Sequence, residues 1–81
     1  MGRAVEMPND KELGALIKEH VLAARFTGLS YSDFLTHYET VYGFPGNRED
    51  KRNTKDHISK LFEALEEENF HEFLHGKYYP L

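Results

Sequence analysis

Five consecutive residues near the C-terminus, His71-Glu72-Phe73-Leu74-His75, match the HExxH pattern that binds zinc. On a helix, histidines four residues apart point to the same side and can share a Zn²⁺ ion, while the glutamate activates a metal-bound water. A catalytic zinc site needs a third protein ligand, and no His, Asp, Glu or Cys follows His75. We therefore expect no enzyme, no metal and no cofactor, and keep a zinc hydrolase using His71 and His75 as a remote alternative.

Basic residues are concentrated in the middle of the chain. Residues 48–60 carry a net charge of +2, whereas residues 1–47 carry −2 and residues 61–81 carry −4. Cations beside the start of a helix form an attractive surface for anions, because the first backbone N–H groups add positive potential. A nucleic-acid site is therefore one alternative, although three acidic residues in the same segment neutralise part of the charge. Its candidate residues are Arg48, Lys51, Arg52 and Lys55.

The segment from Ala24 to Ser30, followed by Phe34, resembles the turn of a helix-turn-helix. Its small residue allows two helices to cross closely, its glycine turns the chain, and its leucine fills the gap between the helices. In DNA-binding versions the second helix enters the major groove. Here that helix would run from Ser30 to Tyr42, and it contains no Lys or Arg. We therefore do not expect it to read bases.

The C-terminal residues have no pattern that places them inside a core. Tyr78, Tyr79 and Leu81 follow a glycine, and Glu67 and Glu68 belong to an acidic run before them. Tyrosine often anchors protein interfaces, since its large ring loses little conformational entropy on binding. These five residues predict a surface for a protein partner. The function we expect is accordingly a non-enzymatic interaction or regulatory domain of the small inhibitor or adaptor type.

Apolar residues recur with helical spacing in four segments. The spacing predicts helices over residues 10–26 and 31–42, a third starting near Thr54, and a short fourth from Phe70 to His75. Asn9 with Glu12 can form a capping box, and Ser30 can cap the second helix. Residues 43–53 are rich in Gly, Asn and charge and predict a loop, while residues 77–81 predict an extended tail.

These elements predict an all-α fold, a compact orthogonal bundle of three to four helices that could be helix-turn-helix-like. The chain would form one domain over residues 1–81, with residues 1–9 flexible. The alternative is a winged helix, in which residues 70–81 form a hairpin that turns at His75-Gly76-Lys77.

Composition excludes several other classes of protein. The chain of 81 residues has no cysteine, which excludes disulfides and thiolate metal sites. Its apolar runs are far shorter than the roughly 18–20 residues of a membrane span, so no membrane association is expected. Residues 1–10 contain no apolar segment typical of secretion. A cytoplasmic protein follows from these features, while its oligomeric state stays open.

Overall fold

The structure is a computed structural model that describes residues 8–44 and 46–81. Residues 1–7, most of the N-terminus predicted to be flexible, lie outside the described part. The described residues form, in chain order, α1 (Asp10–Ala23), β1 (Leu29–Ser30), α2 (Tyr31–Val41), α3 (Arg48–Glu67), β2 (His71–Leu74) and β3 (Lys77–Pro80). The fold is therefore α+β, and the prediction of an all-α helical bundle is wrong.

The first two helices begin where the sequence predicts. The side chain of Asn9 accepts a hydrogen bond from Glu12 N at 2.8 Å, and the Glu12 carboxylate accepts one from Asn9 N at 3.1 Å. This confirms the capping box of α1. The hydroxyl of Ser30 accepts from Asp33 N at 3.1 Å and so caps α2. The helix α1 ends three residues before the predicted limit.

The third helix begins at Arg48 rather than near Thr54, because Asn47 caps it. The Asn47 side chain accepts from Asp50 N at 2.8 Å and donates to the Asp50 carboxylate at 2.7 Å. Acidic residues in the first turn also favour a helix start, since they oppose the positive end of the helix dipole. The prediction of a loop over residues 43–53 is therefore wrong for residues 48–53, which form the start of α3.

The predicted fourth helix is wrong, because the chain turns back at Asn69. That residue takes a left-handed conformation with φ +64°, and β2 follows. Two residues with positive φ, His75 (+51°) and Gly76 (+83°), then join β2 to β3, as in a type I′ hairpin turn. The predicted tail is consequently the strand β3, and a hairpin stands where the winged-helix alternative requires one.

The three strands form an antiparallel sheet in the order β1-β3-β2. Tyr78 in the central strand β3 is opposite Leu29 of β1 on one side and Phe73 of β2 on the other. The short β1 lies in the segment compared above with a helix-turn-helix turn. That segment is therefore part of a sheet rather than a simple connection between two helices.

All three helices contribute to one core. The aromatic rings of Phe34 and Phe62 meet edge to face at its centre, 5.4 Å apart. Within the described part of the chain, no helix is long and apolar enough to cross a membrane. The buried core residues are Leu13, Ile17, Val21, Leu29, Phe34, Tyr38, Ile58, Phe62 and Leu65.

Candidate interaction surfaces

The HExxH residues lie on a strand and a turn, so the helical argument for a zinc site does not hold. His71 is completely buried in β2, and its Nε2 lies 2.9 Å from the carbonyl oxygen of Phe62. Because a carbonyl only accepts, this nitrogen carries the proton, and the buried Nδ1 has no partner among the described residues. His75 is exposed in the hairpin turn. The described residues contain no group of three side chains able to hold a metal ion.

The two tyrosines predicted to bind a partner contact the protein itself. The centre of the Tyr78 ring lies 4.7 Å from that of Phe62 and 4.6 Å from that of His71. Burial raises the pKa of the Tyr78 hydroxyl, and the nearby carboxylates of Glu66 and Glu63 raise it further. Tyr79 is half-buried, and its ring lies over Gly28. Each ring is thus partly covered by the protein itself, and its role as an anchor for a partner stays a prediction.

The remaining predicted partner residues are exposed. Leu81 is 67% exposed, although its backbone N–H donates to Phe70 O at 3.0 Å. Glu67 and Glu68 lie at the end of α3 with exposed side chains. The strand that follows adds two exposed apolar side chains, Phe73 and Leu74, which lie in the segment predicted to be a fourth helix. Phe73 and Leu74 lie beside the hairpin turn, whereas Glu67, Glu68 and Leu81 lie toward the opposite end, where α3 leads into β2.

The four predicted cations lie together on one side of α3. Their spacing of three, four and seven residues from Arg48 places them in a line along the first two turns, and we call them the α3 stripe. Arg48, Lys51 and Arg52 are exposed, and Lys55 is half-buried. All four line one groove of about 310 Å³, which also contains Asp56. The structure thus brings together residues that the sequence placed mostly in a loop.

Among the described residues, the cations of the α3 stripe contact an aromatic ring and form no salt bridge. The ammonium groups of Lys51 and Lys55 each lie 5.6 Å from the ring centre of Phe44. Within residues 8–44 and 46–81 the only salt bridge joins His57 to Asp10, so no cation of the stripe forms one. The acidic residues of the same segment therefore form no salt bridge with these four cations within the described residues.

A hydrogen bond connects the backbone of the stripe to α2, the preceding helix. The hydroxyl of Tyr31, the first residue of α2, donates to the carbonyl of Lys55 at 2.7 Å. Burial raises the pKa of this hydroxyl, and Asp56 raises it further. Because the hydroxyl stays protonated near neutral pH, it holds α2 beside the stripe through a neutral donor.

One further cluster joins α1 to α2. The rings of His20 and His37 lie 4.3 Å apart, and Phe34 meets His20 edge to face at 5.4 Å. Burial lowers the pKa of His20, and the neighbouring His37 lowers it further, while Glu19 acts in the opposite direction. Sequence reasoning missed this pair because the two histidines lie on different helices.

Comparison with known proteins supplies no relative for this chain. No protein-family model, no curated protein and no solved structure matches it.

Proposed function

We propose that this chain is a non-enzymatic regulator that binds the phosphate backbone of nucleic acid through the α3 stripe. The observation that carries the proposal is the arrangement of four cations in one line, in one groove, without a salt bridge among the described residues. Lysine and arginine that are not neutralised by the protein are available to replace the counterions around phosphates.

The dimensions of the stripe suit a nucleic-acid backbone. Neighbouring side chains on this side of the helix are about 5–6 Å apart at Cβ, and the stripe spans about 10 Å along the helix. Such a line can follow a few successive phosphates of one strand. Contacts of this kind position a protein without reading sequence. The proposal is therefore binding to the backbone, with little preference among base sequences.

The net charge of −4 arises away from this surface, because residues 48–60 carry +2, whereas residues 1–47 carry −2 and residues 61–81 carry −4. Glu63 follows Lys55 by eight residues, which is about 12 Å along the axis. The Debye length at physiological salt is about 8 Å, so the acidic end is substantially screened from the stripe. Asp56 lies within the groove, and Glu49 and Asp50 lie in the first turn of α3, so these three carboxylates should weaken binding.

The expected protein partner is a separate proposal. Its predicted anchors, Tyr78 and Tyr79, are engaged by the protein's own side chains and backbone, which weakens that form of the prediction. The exposed side chains at the outer edge of β2 support a modified form of this prediction, in which the edge of the sheet binds the protein partner. A cytoplasmic location also remains part of the proposal.

The experiment measures binding of a fluorescent 16-base-pair DNA duplex by anisotropy at several salt concentrations. With four phosphate contacts, the slope of log affinity against log salt should be about −3 to −4. The Lys51→Glu/Arg52→Glu double variant should lose binding at the lowest salt, because two contacts become repulsive. Its folding should be retained, since both side chains are exposed and acidic residues favour a helix start.

The matched control is the Lys11→Glu/Lys60→Glu double variant, which changes the net charge by the same amount. Both lysines are exposed, Lys11 lies on α1, and Lys60 lies on another side of α3 from the stripe. The control should bind within about threefold of the original chain, since distant exposed charges are screened. Equal loss in both double variants would reduce the effect to net charge and contradict the proposal.

A further inference from the structure

We propose that the outer edge of β2 binds an extended segment of another protein, in which apolar residues alternate with Lys or Arg. This proposal does not depend on nucleic-acid binding, since it uses the hairpin after α3 and none of the four cations. It rests on three features of the hairpin, which are its backbone, its two faces and its charge.

The backbone of Phe73 is turned away from the sheet. Leu81 N donates to Phe70 O at 3.0 Å, which makes this pair a hydrogen-bonded one at the end of the ladder. In an antiparallel ladder hydrogen-bonded pairs alternate with pairs whose N–H and C=O groups point outward. The pair of Phe73 with Tyr78 is of the second kind, and within residues 8–44 and 46–81 no strand lies on the other side of β2. The N–H and C=O groups of Phe73 are therefore available to an added strand.

The faces of the hairpin carry apolar side chains with the period of a strand. Across one face, Leu29 is 7% exposed, Tyr78 is half-buried and Phe73 is 49% exposed, with the last two rings 4.9 Å apart. An apolar side chain from an added strand would continue this row over Phe73. Leu74 points to the opposite face and is 45% exposed. A segment with alternating side chains can contact both.

The charge around the edge favours a basic partner. Glu67, Glu68 and Glu72 are all exposed near or within β2. Lys77 is the only basic residue after residue 60, and its ammonium group donates to the carbonyl of Thr27 at 3.3 Å. A second copy of this chain is disfavoured, because antiparallel pairing of two β2 strands through Phe73 would place the two Glu72 side chains on the same face as diagonal neighbours, where their like charges repel.

The available edge is short, because His71, the next residue with outward backbone groups, is completely buried. The added segment gains only the two backbone hydrogen bonds of Phe73. Side chains must therefore supply most of the affinity, and the contacts with Phe73, with Leu74 and with the glutamates become decisive. This makes the proposed site selective for the alternation of apolar and basic residues rather than for any extended peptide.

The experiment titrates the full chain with a fluorescent ten-residue peptide of alternating Lys and Val, with the corresponding Glu-Val peptide as the charge control. We expect saturable binding of the Lys-Val peptide and at least tenfold weaker binding of the Glu-Val peptide. Phe73→Pro should weaken binding at least tenfold, because proline removes an N–H that forms no bond within the sheet. Phe26→Ser is the matched control, since Phe26 is 84% exposed outside the hairpin, and it should leave binding unchanged.

A second form of the experiment leaves the protein unaltered, in case the proline variant does not fold. A Lys-Val peptide N-methylated at its valines cannot donate a hydrogen bond to the carbonyl of Phe73, and we expect it to bind at least tenfold more weakly. Any of four results would overturn the proposal: no binding of the Lys-Val peptide, equal binding of the Glu-Val peptide, equal binding of the N-methylated peptide, or formation of a dimer by this chain through the same edge.

Discussion

Among the glycines that the structure describes, replacement of Gly28 by alanine should destabilise the protein most. Gly28 has φ +84°, and a Cβ atom at this position would lie 2.7 Å from Tyr79 Cζ and 2.8 Å from Lys77 Cβ. The Tyr79 ring can rotate, but Lys77 Cβ is attached directly to the central strand of the sheet. The methyl group would therefore push the α1–β1 connection away from β3.

The magnitude follows from two separate costs. A left-handed conformation costs an alanine about 1–2 kcal/mol, and forcing an extra methyl into a packed site costs about 1–3 kcal/mol. The sum is about 3 kcal/mol, against a total stability of about 4–12 kcal/mol for a chain of this length. A loss of this size lowers the Tm of a small domain by about 12–24 °C.

The assay is thermal unfolding followed by circular dichroism, with Gly43→Ala as the matched control. Gly43 has φ +77°, but an added Cβ there would meet no atom within 4 Å. The control variant should therefore lose only the conformational cost of about 1–2 kcal/mol. If the two variants differ by less than about 0.5 kcal/mol, the hairpin does not pack against Gly28 and the arrangement of the sheet is refuted.

Three further predictions concern the core, the start of α3 and the response to pH. Phe62→Ala removes a fully buried ring and should cost about 3–5 kcal/mol in urea unfolding; a loss below 1 kcal/mol would contradict its central position. Asn47→Ala removes the cap of α3 and should cost about 1 kcal/mol in the same assay, whereas an unchanged midpoint would mean that the helix starts later. Because the pKa of His20 is lowered in the folded state, the unfolded state binds more protons below about pH 6.5, and stability should fall as the pH falls below that value. His20→Gln should reduce this loss between pH 7 and pH 5.5, and an identical pH dependence of Tm in the variant would refute the assignment to His20.

The sequence predicts helices well where side chains cap them locally. Asn9 and Ser30 mark the starts of α1 and α2 correctly, because each cap depends on residues only three positions away. The start of α3 was placed too late, since the charged segment after Asn47 looks like a loop by composition. The cap formed by Asn47 and Asp50 was the overlooked local signal.

The hairpin was predicted only as the alternative to a fourth helix, because its residues also fit a helix. Phe70, Phe73 and Leu74 are spaced as on one side of a helix, and this spacing concealed the alternation of a strand. The glycine turn at His75-Gly76 was the available signal for a hairpin. The pairing of Leu29 with Tyr78 spans nearly fifty residues, and no local pattern in one sequence predicts such a contact.

The candidate surfaces were predicted in part. The four cations were identified from composition, but their common line depends on α3 beginning at Arg48. The tyrosines were chosen because nothing local placed them inside, whereas the sheet brings Tyr78 against Phe62. Phe73 was predicted to lie in a short helix, and it is exposed because β2 is an edge strand of the sheet that the described residues form.

The most direct test of the proposed function is a nuclear magnetic resonance titration of the ¹⁵N-labelled chain with the 16-base-pair duplex at low salt. The proposal predicts dose-dependent shifts of the backbone amides of residues 48–56, with the hairpin residues 71–80 and the start of α1 unchanged. An unshifted spectrum at a millimolar excess of duplex, or shifts confined to the hairpin, would contradict binding of nucleic acid by the α3 stripe.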